Sequence, residues 1–174
     1  EKVTRGGLAA THVKVRREEH DHPHRGLNDV LSIIGQGALH PEVESRARRV
    51  FEHLAEAEAK AHNTSPQEVH FHEVGAVDAI CDVVGTVAGL TELNLDEIQA
   101  SPIALGGGEV EGSHGTLPVP APATALLLTG MRTYGGPVDV ELTTPTGAAL
   151  VSTLGTKQGP WPEMTIEKIG CGAG

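Results

Sequence analysis

Residues 70 to 82 read HFHEVGAVDAICD. Their donor types point to metal chemistry: imidazole suits nickel, zinc and copper, and carboxylates complete mixed N/O sites. In an extended segment His70 and His72 share a face, because strand side chains repeat every two residues, and Glu73 follows as a ligand or a group that orients one. If the next segment is helical, Asp78 and Asp82 share a stripe with Gly85 and Gly89. The alternative for Asp78 is a place in a first helical turn, where a carboxylate suits the helix dipole; that does not account for Asp82, one turn further in.

A second cluster, EEHDHPHRG, carries His20, His22 and His24. Alternating imidazoles among carboxylates capture a metal without a preformed pocket, or form a solvated loop. Further on, Gly106-Gly107-Gly108 marks a turn, and Ser113-His114-Gly115 places an imidazole beside a glycine, where a ligand can approach backbone. Thr144-Pro145-Thr146-Gly147 opens a helix whose first N–H groups either bind an anion or are satisfied by the threonine cap. No GxxxxGK[ST] loop is present. Cys81 is expected to be a small core hydrophobe. His40, His53 and His62 read as ordinary helix-surface or helix-end residues.

These groups must be held by an aliphatic framework, since the 174 residues include one Trp, one Tyr and two Phe. The net charge of -10 disfavours nucleic acid, which needs a basic surface. Cys81 and Cys171 are too few for a disulfide or zinc scaffold. No run is long and apolar enough to span a bilayer. The beginning without methionine and the IGCGAG ending read as a piece of a longer protein.

Alternation over residues 9–16 predicts a strand, and residues 17–26 a histidine-rich loop. Helices are expected from about Leu27 to Ile34 and from Pro41 to His62. A strand over 69–72 precedes a helix from Ala76 to Leu93, so apolar that it should be buried on most sides. A strand is expected over 97–105. Residues 117–122, with three prolines, are extended but not a central strand. Short helices follow from Pro122 to Thr129 and from Pro145 to Leu154, then a last strand over 164–169. The fold class is mixed α/β (α+β), with helices packed on a small mixed sheet around an aliphatic core, in a single domain over 1–174.

The histidine run with its following aliphatic helix, VHFHEVGAVDAICDVVG, the glycines before HGTLPVPAPAT, ELTTPTGAALV and the IGCGAG ending together resemble one family from about Leu8 to Gly174. It is the nickel insertion proteins of nickel-pincer cofactor biosynthesis, the LarC family. The resemblance implies a cytoplasmic, CTP-dependent nickel chelatase of the lyase class. Such an enzyme places Ni2+ into pyridinium-3,5-bisthiocarboxylic acid mononucleotide to make the cofactor of lactate racemase. It also implies that the family's opening segment and its C-terminal nucleotide-binding region, which takes CTP with a divalent metal, lie outside this chain, and that the chain alone does not complete the reaction.

On that reading His20, His22 and His24 collect nickel, His70, His72, Glu73, Asp78 and Asp82 form or border an internal site, and His114, Thr144, Thr146 and Gly147 face the organic precursor. No catalytic residue is assigned. Cys81 and Cys171 stand where the family has an aliphatic and often a tyrosine, which argues against cysteine catalysis. The rival reading is a metal-binding and delivery module without chemistry of its own. A homo-oligomer is left open.

Overall fold

The computed structural model describes residues 1–16, 25–71, 77–112 and 115–173. It divides into two compact units, Glu1–Asp21 with Trp161–Gly174, and His22–Pro160. The mixed α/β class holds, with the described strands distributed among five small sheets.

In the first unit β1 (Lys2–Arg5) and β2 (Leu8–His12) form an antiparallel hairpin. Its turn is Gly6-Gly7, with φ of 54° and 82°, the left-handed backbone that two-residue hairpin turns demand. The strand expected over 9–16 therefore ends at His12, and β1 is an addition to the sequence reading. The chain's last described strand, Gly172–Ala173, pairs parallel to β2.

In the second unit β3 (Arg25–Gly26) runs directly into α1 (Leu27–Gln36), where the Asp29 carboxylate accepts the Gly26 N–H at 2.9 Å. Leu27, Val30 and Ile34 are its buried stripe. α2 (Pro41–His62) starts at Pro41, which needs no N–H partner, with the His40 ring accepting from Glu42 N–H at 3.4 Å. It ends at Asn63, in the left-handed conformation. Its apolar face, including Val43, Ala47, Val50, Phe51 and Leu54, is the centre of the core. Its outer face carries the Glu42–Arg46 and Glu44–Arg48 ion pairs at 2.8 and 2.9 Å.

β4 (His70–Phe71) follows, then α3 (Val77–Glu92). The expectation that α3 is buried on most sides is corrected. Only Ala79, Ile80, Val83 and Val87 are buried, and Asp78, Cys81, Asp82, Gly85, Thr86 and Gly89 are exposed. The helix is rich in alanine, valine and glycine, yet only one stripe meets another helix. Cys81 is thus an exposed thiol rather than a core hydrophobe.

The strand expected over 97–105 is two strands, β5 (Gln99–Ala100) and β6 (Ile103–Ala104). Pro102 lies between them without an N–H to donate. β7 (Glu109–Gly112) and β8 (Gly115–Pro118) make a two-stranded hairpin, which suits the proline-rich extended stretch. α4 (Pro122–Leu127) is followed by β9 (Thr133–Tyr134), parallel to β6, and by α5 (Pro145–Leu154). β10 (Lys157–Gln158) pairs parallel with β5. The Gln158 amide locks this region: its oxygen accepts Arg132 N–H at 2.6 Å, and its nitrogen donates to the carbonyls of Arg132 and Ser101 at 2.9 and 3.3 Å. Residues 164–169 carry no strand, because their alternating apolar pattern finds no ladder partner; the last strand is β11 (Gly172–Ala173), on β2.

All four other described helices pack on α2. Within this core Thr124 is 0% exposed, and its hydroxyl has no hydrogen-bond partner among the described residues. A buried donor left unpaired costs free energy that an isosteric methyl does not. Thr124→Val is therefore expected to raise stability by about 1 kcal/mol, read as an increased urea midpoint at unchanged slope. A lower midpoint would show that the hydroxyl is satisfied in solution.

Candidate functional site

The described part of the site is built around one short ladder. β3 and β4 pair antiparallel, with Arg25 opposite Phe71 and Gly26 opposite His70. Side chains alternate along β4: Phe71 is buried, and His70 is exposed on the other face. Phe71 is anchored edge-to-face on Phe51 of α2, ring centroids 6.2 Å apart and planes at 60°. That contact fixes the face on which His70 stands.

The turn between α2 and β4 is closed by Glu68. Its carboxylate accepts from the Ser65 hydroxyl at 2.7 Å, the Thr64 hydroxyl at 3.0 Å and the Ser65 N–H at 3.3 Å. These bonds, the Ser65 hydroxyl first, hold the Glu68 carboxyl below the usual carboxylate range.

His20, His22, His24, His72, Glu73 and His114 lie outside the described residues. The antiparallel register nevertheless has a consequence for the chain. The polypeptide that enters β3 at Arg25 and the polypeptide that leaves β4 at Phe71 join the ladder at the same end. Among the described residues no three His, Cys, Asp or Glu side chains converge as a metal site. Asp78 and Asp82 stand on the exposed face of α3, so the stripe of aspartates and glycines is real but turned outward.

The second described cluster is the start of α5. The Thr143 hydroxyl donates to the Ala104 carbonyl at 2.7 Å, tying the residue before the N-cap to β6. Upstream, Gly106 at φ 89° packs so tightly on the 138–142 segment that a Cβ there would overlap the Val140 carbonyl oxygen. This explains why a glycine turn precedes the hairpin. At the cap itself, Thr144 Oγ1 accepts the Gly147 N–H at 3.3 Å. Pro145 has no N–H, so the Thr146 N–H is the first-turn donor left without an acceptor among the described residues. Both capping and a single anion contact fit this geometry, with capping using most of the donors. In β7–β8, Gly112 pairs with Gly115 across residues 113 and 114.

Sequence reasoning missed one cluster. His53, read as a surface residue, is half-buried on α2, and its Nδ1 faces Thr153 Oγ1 at 3.1 Å and Ser152 Oγ at 3.4 Å on α5. The partners lie about a hundred residues apart in sequence. Only the position of His53 between Val50 and Leu54, on the rim of the buried stripe, carried a signal.

A family model described as "nickel insertion protein" matches residues 1–174. The chain belongs to this family. It is 48% identical over 174 residues to a pyridinium-3,5-bisthiocarboxylic acid mononucleotide nickel insertion protein of Desulfitobacterium hafniense (strain DSM 10664 / DCB-2), covering all of this chain and 43% of that protein. It is 51% identical over 176 residues to a protein of the same name from a Nocardioides species, covering all of this chain and 44% of that one. This nickel insertion family chain therefore spans less than half the length of these curated relatives. No solved structure matches it. No described helix is long and apolar enough to cross a membrane.

Proposed function

We propose that the protein to which this chain belongs inserts Ni2+ into pyridinium-3,5-bisthiocarboxylic acid mononucleotide, and that this chain is the part that gathers the metal and holds the precursor. The observation that carries the reading is membership of the nickel insertion family over all 174 residues, together with the substrate that the relatives' names print. CTP with its divalent metal is used elsewhere in the longer protein, in keeping with the absence of a phosphate-cradling lysine loop from this sequence.

The nickel is cargo here. Its carriers are His20, His22 and His24 from one segment and His70, His72 and Glu73 from the other. We take the two segments to act together because Arg25, next in the chain after His24, pairs with Phe71, which directly precedes His72. Asp78 and Asp82, exposed on α3, border that site as carboxylates that favour a cation. Neutral imidazoles are the competent ligands, so metal capture requires deprotonated histidines. The Thr146 N–H and the Thr144 cap at α5 supply one contact to the precursor's phosphate, and His114 a second. A mononucleotide offers a single phosphate, which suits one available donor better than a triphosphate would.

The test mixes the chain with nickel and precursor, with and without CTP, and compares it with the full-length relative from Desulfitobacterium hafniense. The expected result is precursor binding by the chain, with nickel-loaded product formed at a useful rate only by the full-length protein. Nickel binding without precursor binding would instead make the chain a delivery module. Turnover by the chain alone at the full-length rate would refute the division of labour.

A further inference from the structure

The ring of His70 has no hydrogen-bond partner among the described residues. A metal-binding imidazole is normally oriented by a group that accepts its second ring N–H, and the β3–β4 ladder supplies a candidate. Gly26 stands directly opposite His70, and the side chains of directly opposed residues in an antiparallel pair project from one face. Gly26 has no side chain to fill that place. A Cβ built there would lie 3.8 Å from Asp29 Oδ2 and 3.4 Å from the Val69 carbonyl oxygen. The Asp29 carboxylate therefore stands at the edge of the position that a side chain opposite His70 would occupy. Directly opposed Cβ atoms are about 4.5–5.5 Å apart, a gap across which an imidazole reaches.

Local structure holds Asp29 in place. It lies in the first turn of α1, and its Oδ2 accepts the Gly26 N–H at 2.9 Å, the backward-reaching half of a capping box. That bond uses one oxygen; Oδ1 has no hydrogen-bond partner among the described residues. Capping alone calls only for an uncharged acceptor, which an asparagine supplies as well. We propose that Asp29 is a positioning residue for nickel binding. Its carboxylate accepts a ring N–H of His70, which leaves the other ring nitrogen unprotonated for the metal. The inference rests on the reading of His70 as a nickel carrier and adds to it the group that selects the tautomer. Because β3 runs directly into α1, the ladder that sets Gly26 against His70 also brings the carboxylate to it.

Asp29→Asn in the full chain tests it, since the amide oxygen can keep the bond to the Gly26 N–H while the charge is lost. Nickel affinity, measured by calorimetry, is expected to fall by at least about tenfold, with the helical circular dichroism and the urea midpoint kept. In the nickel-free chain the nitrogen NMR signals of the His70 ring should show one tautomer in the natural sequence and a mixture in the variant. A mere loss of negative charge near the metal would weaken nickel binding and leave the tautomer as it was. An unchanged nickel affinity or an unchanged tautomer would each overturn the proposal. His70→Ala separates the two ways of failing. If it weakens nickel binding and Asp29→Asn does not, only the positioning role falls. If His70→Ala itself leaves nickel binding intact, the reading of His70 as a carrier falls, and the positioning role falls with it.

Discussion

Phe51→Ala will destabilise the chain by about 3–5 kcal/mol, a large fraction of the total stability of a domain this size. Phe51 is 0% exposed, at the centre of the α2 face on which the other helices pack, and it is one of only two phenylalanines in the sequence. The other phenylalanine, Phe71, is itself buried and held in the β3–β4 ladder, so it cannot move in to fill the space and the cavity stays open. The loss also removes the edge-to-face contact with Phe71, itself 3% exposed, worth about 0.5–1.5 kcal/mol beyond the area buried. Because Phe71 neighbours His70, the variant should loosen the β3–β4 ladder before the helices melt. Urea denaturation followed by circular dichroism measures the first effect, and exchange of the residue 25, 26, 70 and 71 amides the second. A loss below about 1 kcal/mol, typical of surface positions, would place Phe51 outside the core.

The helices were legible where periodicity and punctuation agreed. α5 lies where Thr144, Pro145 and Gly155 place it, and α2 starts at Pro41 as read. Periodicity alone was a poorer guide for α3. Its sequence is apolar nearly throughout, but burial depends on which neighbours are present, and only the stripe through Ile80, Val83 and Val87 meets them. The aspartate stripe was correctly grouped and wrongly assumed to face inward. Strands were harder. A strand of two residues, such as β6 or β10, has no period to detect, and its existence rests on a partner distant in sequence. β1 was signalled by Gly6-Gly7, a dipeptide that favours a tight hairpin. For residues 164–169 alternation was present but a partner strand was not.

The candidate site divides in the same way. Donor types and spacing singled out His70 and the α5 start; the structure places His70 exposed on β4 and Thr144 at the N-cap of α5. The pairing of Gly26 with His70 was not legible, because a cross-strand register depends on the packing of Phe71 beneath it. The His53 contacts with Ser152 and Thr153 join two helices that only the folded core brings together.

The joint nickel site is the central claim, and nickel calorimetry on a mutant cycle tests it most directly. One variant replaces His20, His22 and His24 with alanine, a second replaces His70 and His72, and a third combines them. A metal bound by both segments loses ligands in either single-segment variant, so each should weaken binding by at least about tenfold. The combined variant should then lose less than the product of the two effects, because the second set of changes acts on a site already broken. Phe51 and the helical core are untouched by these changes, so circular dichroism should stay constant across the cycle. The account predicts one class of nickel site that disappears in both single-segment variants. Two independent sites, each removed by only one variant while the other keeps its affinity and stoichiometry, would contradict it.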